Sequence, residues 1–98
     1  MEFVIKLFED SERQLKQLAA RNQRTVLDGI DGQLRFQPDQ PTKNRKRLRE
    51  NPLAEWELRV GQFRVFYDIV EESAIVAVIA IGVKKGNKVY IEGKEHSL

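Results

Sequence analysis

The sequence predicts an α+β domain: a small twisted antiparallel sheet with an N-terminal helical hairpin on one face, in the order β-α-α-β-β-β-β. Three observations carry this expectation. Residues 2–8 alternate with a period of two, residues 10–36 place apolar side chains at helical intervals, and the two-residue period returns from Trp56 and leads into the chain's longest apolar run. At 98 residues there is room for one domain, taken as 1–98, and no visible repeat or linker divides it.

In the first strand Phe3, Ile5 and Leu7 share one face, and Val4, Lys6 and Phe8 the other. Asp10 or Ser11 can then cap a helix, and Ser11 with Gln14 matches a capping box. Leu15, Leu18 and Ala19 form its apolar stripe, and it is expected to end near Arg21-Asn22. A second helix capped by Asn22 carries Val26, Leu27, Ile30 and Leu34 and runs to about Phe36, despite Gly29 and Gly32. Residues 37–42 contain Pro38 and Pro41 and must be a connection, because proline donates no hydrogen bond and excludes helix before it. Residues 43–49 make at most a short edge strand, closed by Pro52. Trp56, Leu58 and Val60 alternate, as do Phe63, Val65, Tyr67 and Ile69 after Gly61-Gln62. A two-residue type II′ turn there sets Val60 opposite Phe63, Arg59 opposite Arg64, Leu58 opposite Val65 and Trp56 opposite Tyr67. Residues 74–81 are uniformly apolar, as in a central strand covered on both faces, and Gly82 is expected to end it. A basic loop with a Gly86-Asn87 turn, a short extended piece at 89–91 and a polar tail follow.

Composition excludes several classes. Hydrophobic residues at 41% and charged residues at 33% fit a globular chain better than a disordered one. The absence of cysteine removes disulfides, thiolate metal sites and thiol nucleophiles. An apolar run of eight residues is far short of the roughly 20 that a membrane helix needs, and the N-terminus lacks the pattern of a signal peptide. No membrane association is expected, and the cytoplasm is the expected compartment. There is no phosphate-binding or dinucleotide glycine motif and no nucleophile elbow. No cofactor is expected, and no metal either, since His96 stands alone in the polar tail without a ligand-spaced partner.

Charge carries the functional signal. The net charge of +2 hides an uneven distribution: Lys43, Arg45, Lys46, Arg47 and Arg49 stand in seven residues without an acid, a footprint for a polyanion. An isolated run of this kind is equally a solvated surface. The hairpin register supplies corroboration, because it puts Arg59 directly across from Arg64, and like charges so paired are unfavourable unless an anion lies between them. Two guanidiniums side by side match a phosphate. The competing expectation is that they splay and pair with Glu57 and Asp68, their stems covering the sheet. Lys84, Lys85 and Lys88 follow the central strand and can approach the same face. Trp56 and Tyr67 are core aromatics. Tyr90 should face opposite to Val89 and Ile91, with its hydroxyl free to act or to meet water.

Taken together, the strand, the helical hairpin, Lys46-Arg47-Leu48-Arg49, the stretch from Trp56 to Ile69, the apolar strand, Ile81 to Lys85 and Val89-Tyr90 resemble the RelE/ParE superfamily of type II toxin-antitoxin toxins. The resemblance covers nearly the whole chain and is most specific at residues 58–67. It implies a toxin inhibited by a cognate antitoxin, touching operator DNA only through that complex. In the RelE branch the toxin enters the ribosomal A site and cleaves mRNA without metal, a ribose 2′-hydroxyl attacking the adjacent phosphate; in the ParE branch it poisons DNA gyrase. By this resemblance Arg64 would stabilise the pentacoordinate phosphate, Lys84 would share that role or help the leaving oxygen, and Tyr90 would stack on a base or place a hydrogen bond. Lys43, Arg45, Lys46, Arg49, Arg59, Lys85 and Lys88 would hold RNA. Where RelE ribonucleases carry two lysines on the strand before the turn, this chain has Glu55 and Glu57. Arginine does not act as a base, so proton removal falls to a glutamate, to Lys84 or Lys85, or to Lys46. The first expectation is therefore a ribosome-dependent mRNA endoribonuclease. The alternatives are a binding-only toxin of gyrase and a weakly active member working mainly in an antitoxin-bound repressor complex.

Overall fold

The computed structural model describes residues 1–97. Helices α1 (Glu9–Lys16) and α2 (Ala20–Leu34) follow strand β1 (Val4–Leu7) and precede β2 (Arg45–Arg47), β3 (Trp56–Val60), β4 (Phe63–Val70), β5 (Ile75–Lys85), β6 (Lys88–Ile91) and β7 (Lys94–His96). The fold is the expected α+β sheet with the helices on one face. Neighbouring strands run antiparallel in the order β2-β3-β4-β5-β6-β7, while β1 lies parallel against the first part of β5. That parallel pair was not expected from the pattern, since alternation within a strand says nothing about the direction of its neighbour.

The β3–β4 hairpin has the expected register, with Trp56 opposite Tyr67, Leu58 opposite Val65, Arg59 opposite Arg64 and Val60 opposite Phe63. Gly61 takes a φ of +58°, which a side chain would oppose and which the turn requires. The helix boundaries differ from expectation. Helix α1 starts at Glu9 after Phe8, and Ser11, instead of capping from outside, reaches back so that its Oγ accepts the Phe8 N–H at 2.9 Å. It ends at Lys16, because the Gln23 side chain donates to the carbonyls of Lys16 and Leu18 and closes the last turn. Helix α2 therefore begins at Ala20 and Asn22 lies inside it.

Strand β5 runs through Gly82 to Lys85, and the tail folds back as a further hairpin, β6–β7. Gly82 is required for a different reason than strand ending: a Cβ there would stand 2.8 Å from the Tyr90 carbonyl oxygen and 2.9 Å from Ile91 Cγ1, so only glycine lets β6 come this close. Between Val78, where β1 stops, and Val83, where β6 begins, β5 has no strand on that side. Gln14 of α1 fills the seam, its Oε1 accepting the Ile81 N–H at 2.8 Å.

The larger core lies between sheet and helices and includes Leu15, Val26, Ile30, Leu34, Trp56, Leu58, Val65, Tyr67, Val76 and Val78. Trp56 and Tyr67 stack with centroids 6.0 Å apart, and the Tyr67 hydroxyl donates to the Pro38 carbonyl at 2.8 Å, tying the proline connection to the core. The opposite face is not simply solvated. Phe66 and Ala80 are buried there with Ile91 beneath Leu48, Leu53 and Ala54, so residues 48–54 form a strap across the sheet. Asn51 secures it: its Oδ1 accepts the N–H groups of Leu53 and Ala54, and its Nδ2 donates to the carbonyls of Arg49 and Ala54.

Candidate functional site

Register decides which charged side chains meet. On the strap face lie Lys46, Glu57, Arg59, Arg64, Lys84, Val89 and His96, since Lys46 pairs with Glu57, Arg59 with Arg64, Arg64 with Gly82, Lys84 with Val89 and Val89 with His96. Two grooves cross this face. One, of about 430 Å³, runs between Lys43, Lys46, Arg59 and Glu57. The other, of about 370 Å³, is lined by Glu57, Arg49, Asn51, Lys88, Val89 and His96 among others. Glu57 belongs to both, so it stands where they join.

Arg64 is the most constrained cation of the face. Only 5% of it is exposed, and its Nη1 donates to the carbonyls of Gly61 at 2.8 Å and Phe63 at 2.9 Å. Its Nε lies 3.8 Å from Glu57 Oε1, an ion pair too long to be a hydrogen bond. Burial lowers its pKa from the ordinary arginine value, Glu57 opposes the shift and Arg59 adds to it. It remains a cation at neutral pH, as arginine does generally. Arg59 is exposed, so the two guanidiniums do not share one fork: Arg64 turns to the hairpin carbonyls and Glu57. Asp68, the other expected partner, instead accepts the Glu55 N–H at 2.8 Å.

Of the residues expected to act, Arg64 and Lys84 share this face, and the Lys84 N–H donates to the Gln62 carbonyl at 2.8 Å. Tyr90 does not join them. It pairs with Val83, faces the helices and lies beside Gln14, Gln17 and Leu18, with the Lys85 ammonium 5.9 Å from its ring centroid. Lys85 is therefore on the Tyr90 side too. Lys88 sits at the rim, 3.5 Å from Glu95. Of the expected RNA contacts, Lys43, Lys46, Arg49 and Arg59 line the grooves. Arg45 is a correction in kind: it is buried, pairs with Leu58 and donates to the Gln33 and Gln40 carbonyls, where it closes the end of α2. Its charge satisfies backbone, because β2 alternates and every second side chain must turn to the helix side.

Two residues gain a place that the sequence reading did not give them. His96, expected to stand alone in the polar tail, is on β7 and half-buried in the groove that contains Glu57. The signal for it was the Glu92-Gly93 pair between Ile91 and Lys94, a two-residue hairpin turn. Glu57, expected as a departure from lysine, as a partner of the two arginines and as one of several candidate bases, stands where the two grooves join. A carboxylate and an imidazole in one groove, with the fixed Arg64 guanidinium 3.8 Å from that carboxylate, can accept a proton, donate one and stabilise an anion. Among the described residues no group of three His, Cys, Asp or Glu side chains is placed to hold a metal ion, and no helix is long and apolar enough to cross a membrane.

Residues 5–87 match the family model of the ParE toxin of the type II toxin-antitoxin system parDE. The chain belongs to this toxin family, within the RelE/ParE superfamily. Among solved structures it is similar to a chain of the RelBE2 toxin-antitoxin complex from Mycobacterium tuberculosis, at 21% identity and a TM-score of 0.73, over 86% of this chain and 100% of that one. The archaeal RelE-RelB complex from Pyrococcus horikoshii OT3 matches at 19% identity and a TM-score of 0.66, over 83% and 93%. The intact E. coli RelBE complex matches at 15% identity and a TM-score of 0.53, over 86% and 99%. These likenesses establish the fold. No curated protein matches the chain.

Proposed function

We propose that this toxin is a ribosome-dependent mRNA endoribonuclease of the cytoplasm, held inactive by a cognate antitoxin. The observation that carries the reading is Glu57 at the junction of a basic groove and one of mixed charge, next to the buried Arg64 and in the same groove as His96. A single strand laid along Lys43, Lys46 and Arg59 on one side and Arg49 and Lys88 on the other meets cations for its backbone phosphates on both sides of Glu57. At the junction Glu57 takes the proton from a ribose 2′-hydroxyl as that oxygen attacks the adjacent phosphorus. His96 delivers a proton to the departing 5′-oxygen, leaving a 2′,3′-cyclic phosphate and a free 5′-hydroxyl. Arg64 and Lys84 stabilise the extra negative charge of the pentacoordinate phosphate. Because Arg64 is already fixed by two carbonyls, little reorganisation is needed as that charge develops. Tyr90, on the other face, is left out of the reacting groups.

The test is single-turnover cleavage on programmed ribosomes with purified toxin. The expected result is cleavage that persists in EDTA, ends in a cyclic phosphate and falls by about 100-fold or more in Arg64→Ala, Glu57→Gln and His96→Gln. Intact mRNA together with DNA breaks trapped on gyrase would replace this reading with gyrase inhibition.

A further inference from the structure

The wall of the groove that carries His96 is a short hairpin at the edge of the sheet: β6 pairs with β5 over three residues, and β7 pairs only with β6. Its turn, Glu92-Gly93, has φ values of +52° and +79°. Two successive residues at positive φ make the turn that asparagine-glycine favours, so a glutamate in the first place works against its own backbone preference. Its side chain shows what offsets this. Arg13 of α1 donates from Nε to Glu92 Oε1 at 2.9 Å and from Nη2 to Oε2 at 3.2 Å, a two-bond fork across 79 residues of chain. Arg13 is steadied in turn by Asp10 one helical turn earlier, at 3.1 Å. Isolated surface ion pairs contribute little, but a forked arginine within a three-member network is the geometry in which they hold. Next along α1, Gln14 accepts the Ile81 N–H in the seam between β1 and β6. Helix α1 therefore grips both the central strand and the turn of the hairpin, and only Lys94 and Glu95 separate that turn from His96.

We infer that Arg13 and Glu92 form a latch through which α1 sets the position of the β6–β7 hairpin, and with it of His96 in the groove beside Glu57. Both are positioning residues, and the consequence for cleavage rests on the function proposed above. The latch itself is testable without activity, because His96 is the chain's only histidine and gives one imidazole signal in an NMR spectrum. The variants are Arg13→Ala, Glu92→Gln and Glu92→Asn, the last of which suits the turn while removing the carboxylate.

In all three the His96 ring resonances should shift towards those of a solvent-exposed histidine, and amide exchange at the Tyr90 and His96 N–H groups should quicken by about threefold or more. Arg13→Lys, which keeps the charge, should lie between them and the parent. Glu92→Asn should unfold no more easily than the parent, so a changed His96 signal in it cannot be ascribed to a poorly folded domain. An unchanged ring signal and unchanged exchange in folded Arg13→Ala and Glu92→Asn would overturn the latch. If mRNA cleavage is lost in His96→Gln but intact in both latch variants, the latch again fails while the proposed function stands. If the His96 signal moves as expected and the parent cleaves no mRNA, the latch holds and the proposed function falls.

Discussion

Arg45 and Arg64 show how one residue type divides its work by position. Both are buried, and both guanidiniums bind backbone carbonyls, yet Arg64 also faces a carboxylate in an open groove while Arg45 closes the end of a helix. Arg64→Ala is thus expected to act on cleavage and, with the Gly61 and Phe63 carbonyls losing their donor, on stability as well. Arg45→Ala should act on stability, at about 1.5–3 kcal/mol for the loss of a charged hydrogen-bonding group, with two carbonyls left unpaired. Denaturant unfolding of the two variants beside their cleavage rates separates the effects. Tyr67 is a neutral counterpart. Burial pushes its hydroxyl well above the ordinary tyrosine value of 10.0, with Arg45 opposing and Asp39 adding. Because the folded value is raised, its contribution is present below pH 10 and declines as pH rises past the unfolded value. Tyr67→Phe should cost about 1 kcal/mol at neutral pH, read from the unfolding midpoint.

At the scale of elements, the strap and the C-terminal hairpin are what convert a flat sheet face into a groove. Phe66 lies fully buried under residues 48–54, so Phe66→Ala should cost about 3–5 kcal/mol and free the strap. Limited proteolysis within residues 48–54 should then precede global unfolding; uniform resistance would mean that Asn51 alone holds the segment. The hairpin has an acid limit. The Arg13 guanidinium holds the Glu92 carboxyl below the ordinary glutamate value of 4.5. A group whose folded value is depressed contributes above its unfolded value and loses that contribution as pH falls through the folded one. The difference in thermal stability between the parent and Glu92→Gln should therefore be present at neutral pH and vanish in acid, below the ordinary carboxylate range.

For the whole molecule the governing property is the separation of charge. The strap face gathers Lys43, Lys46, Arg49, Arg59, Arg64 and Lys84 against the carboxylates Glu50, Glu57 and Glu95 in its grooves, although the net charge is only +2. Affinity for RNA or ribosomes should weaken steeply with salt, because each phosphate neutralised releases counterions. Replacing Lys46 and Arg49 by alanine should reduce the slope of log affinity against log salt by about 2 if both contact phosphate, with the circular dichroism spectrum unchanged. An unchanged slope would remove β2 and the strap from the binding surface. Growth arrest on expression of the chain alone, reversed by its antitoxin, tests the toxin in its cellular setting.

What the sequence determined by itself was local and periodic. The alternation around Gly61-Gln62 specified the hairpin register, including the Arg59–Arg64 pair, because a slip of one residue would turn Trp56, Leu58 and Val65 out to solvent. The helix stripe, the central strand and the basic run were legible for the same reason: each depends on neighbours a few residues away, and together they gave the fold class. What only the tertiary structure decided was non-local. Whether Arg45 binds phosphate or backbone depends on a helix end twelve residues away in sequence, which the packing of α2 brings to β2. Tyr90 and Arg64 were legible as candidates but not as occupants of opposite faces, since that follows from how β6 pairs with a strand that continues past Gly82. His96 joins Glu57 because a tail that carries little apolar signal pairs edge-on with β6 and its turn is gripped from α1. Backbone pairing and a long-range ion pair leave no period in the sequence, and they set the shape of this groove.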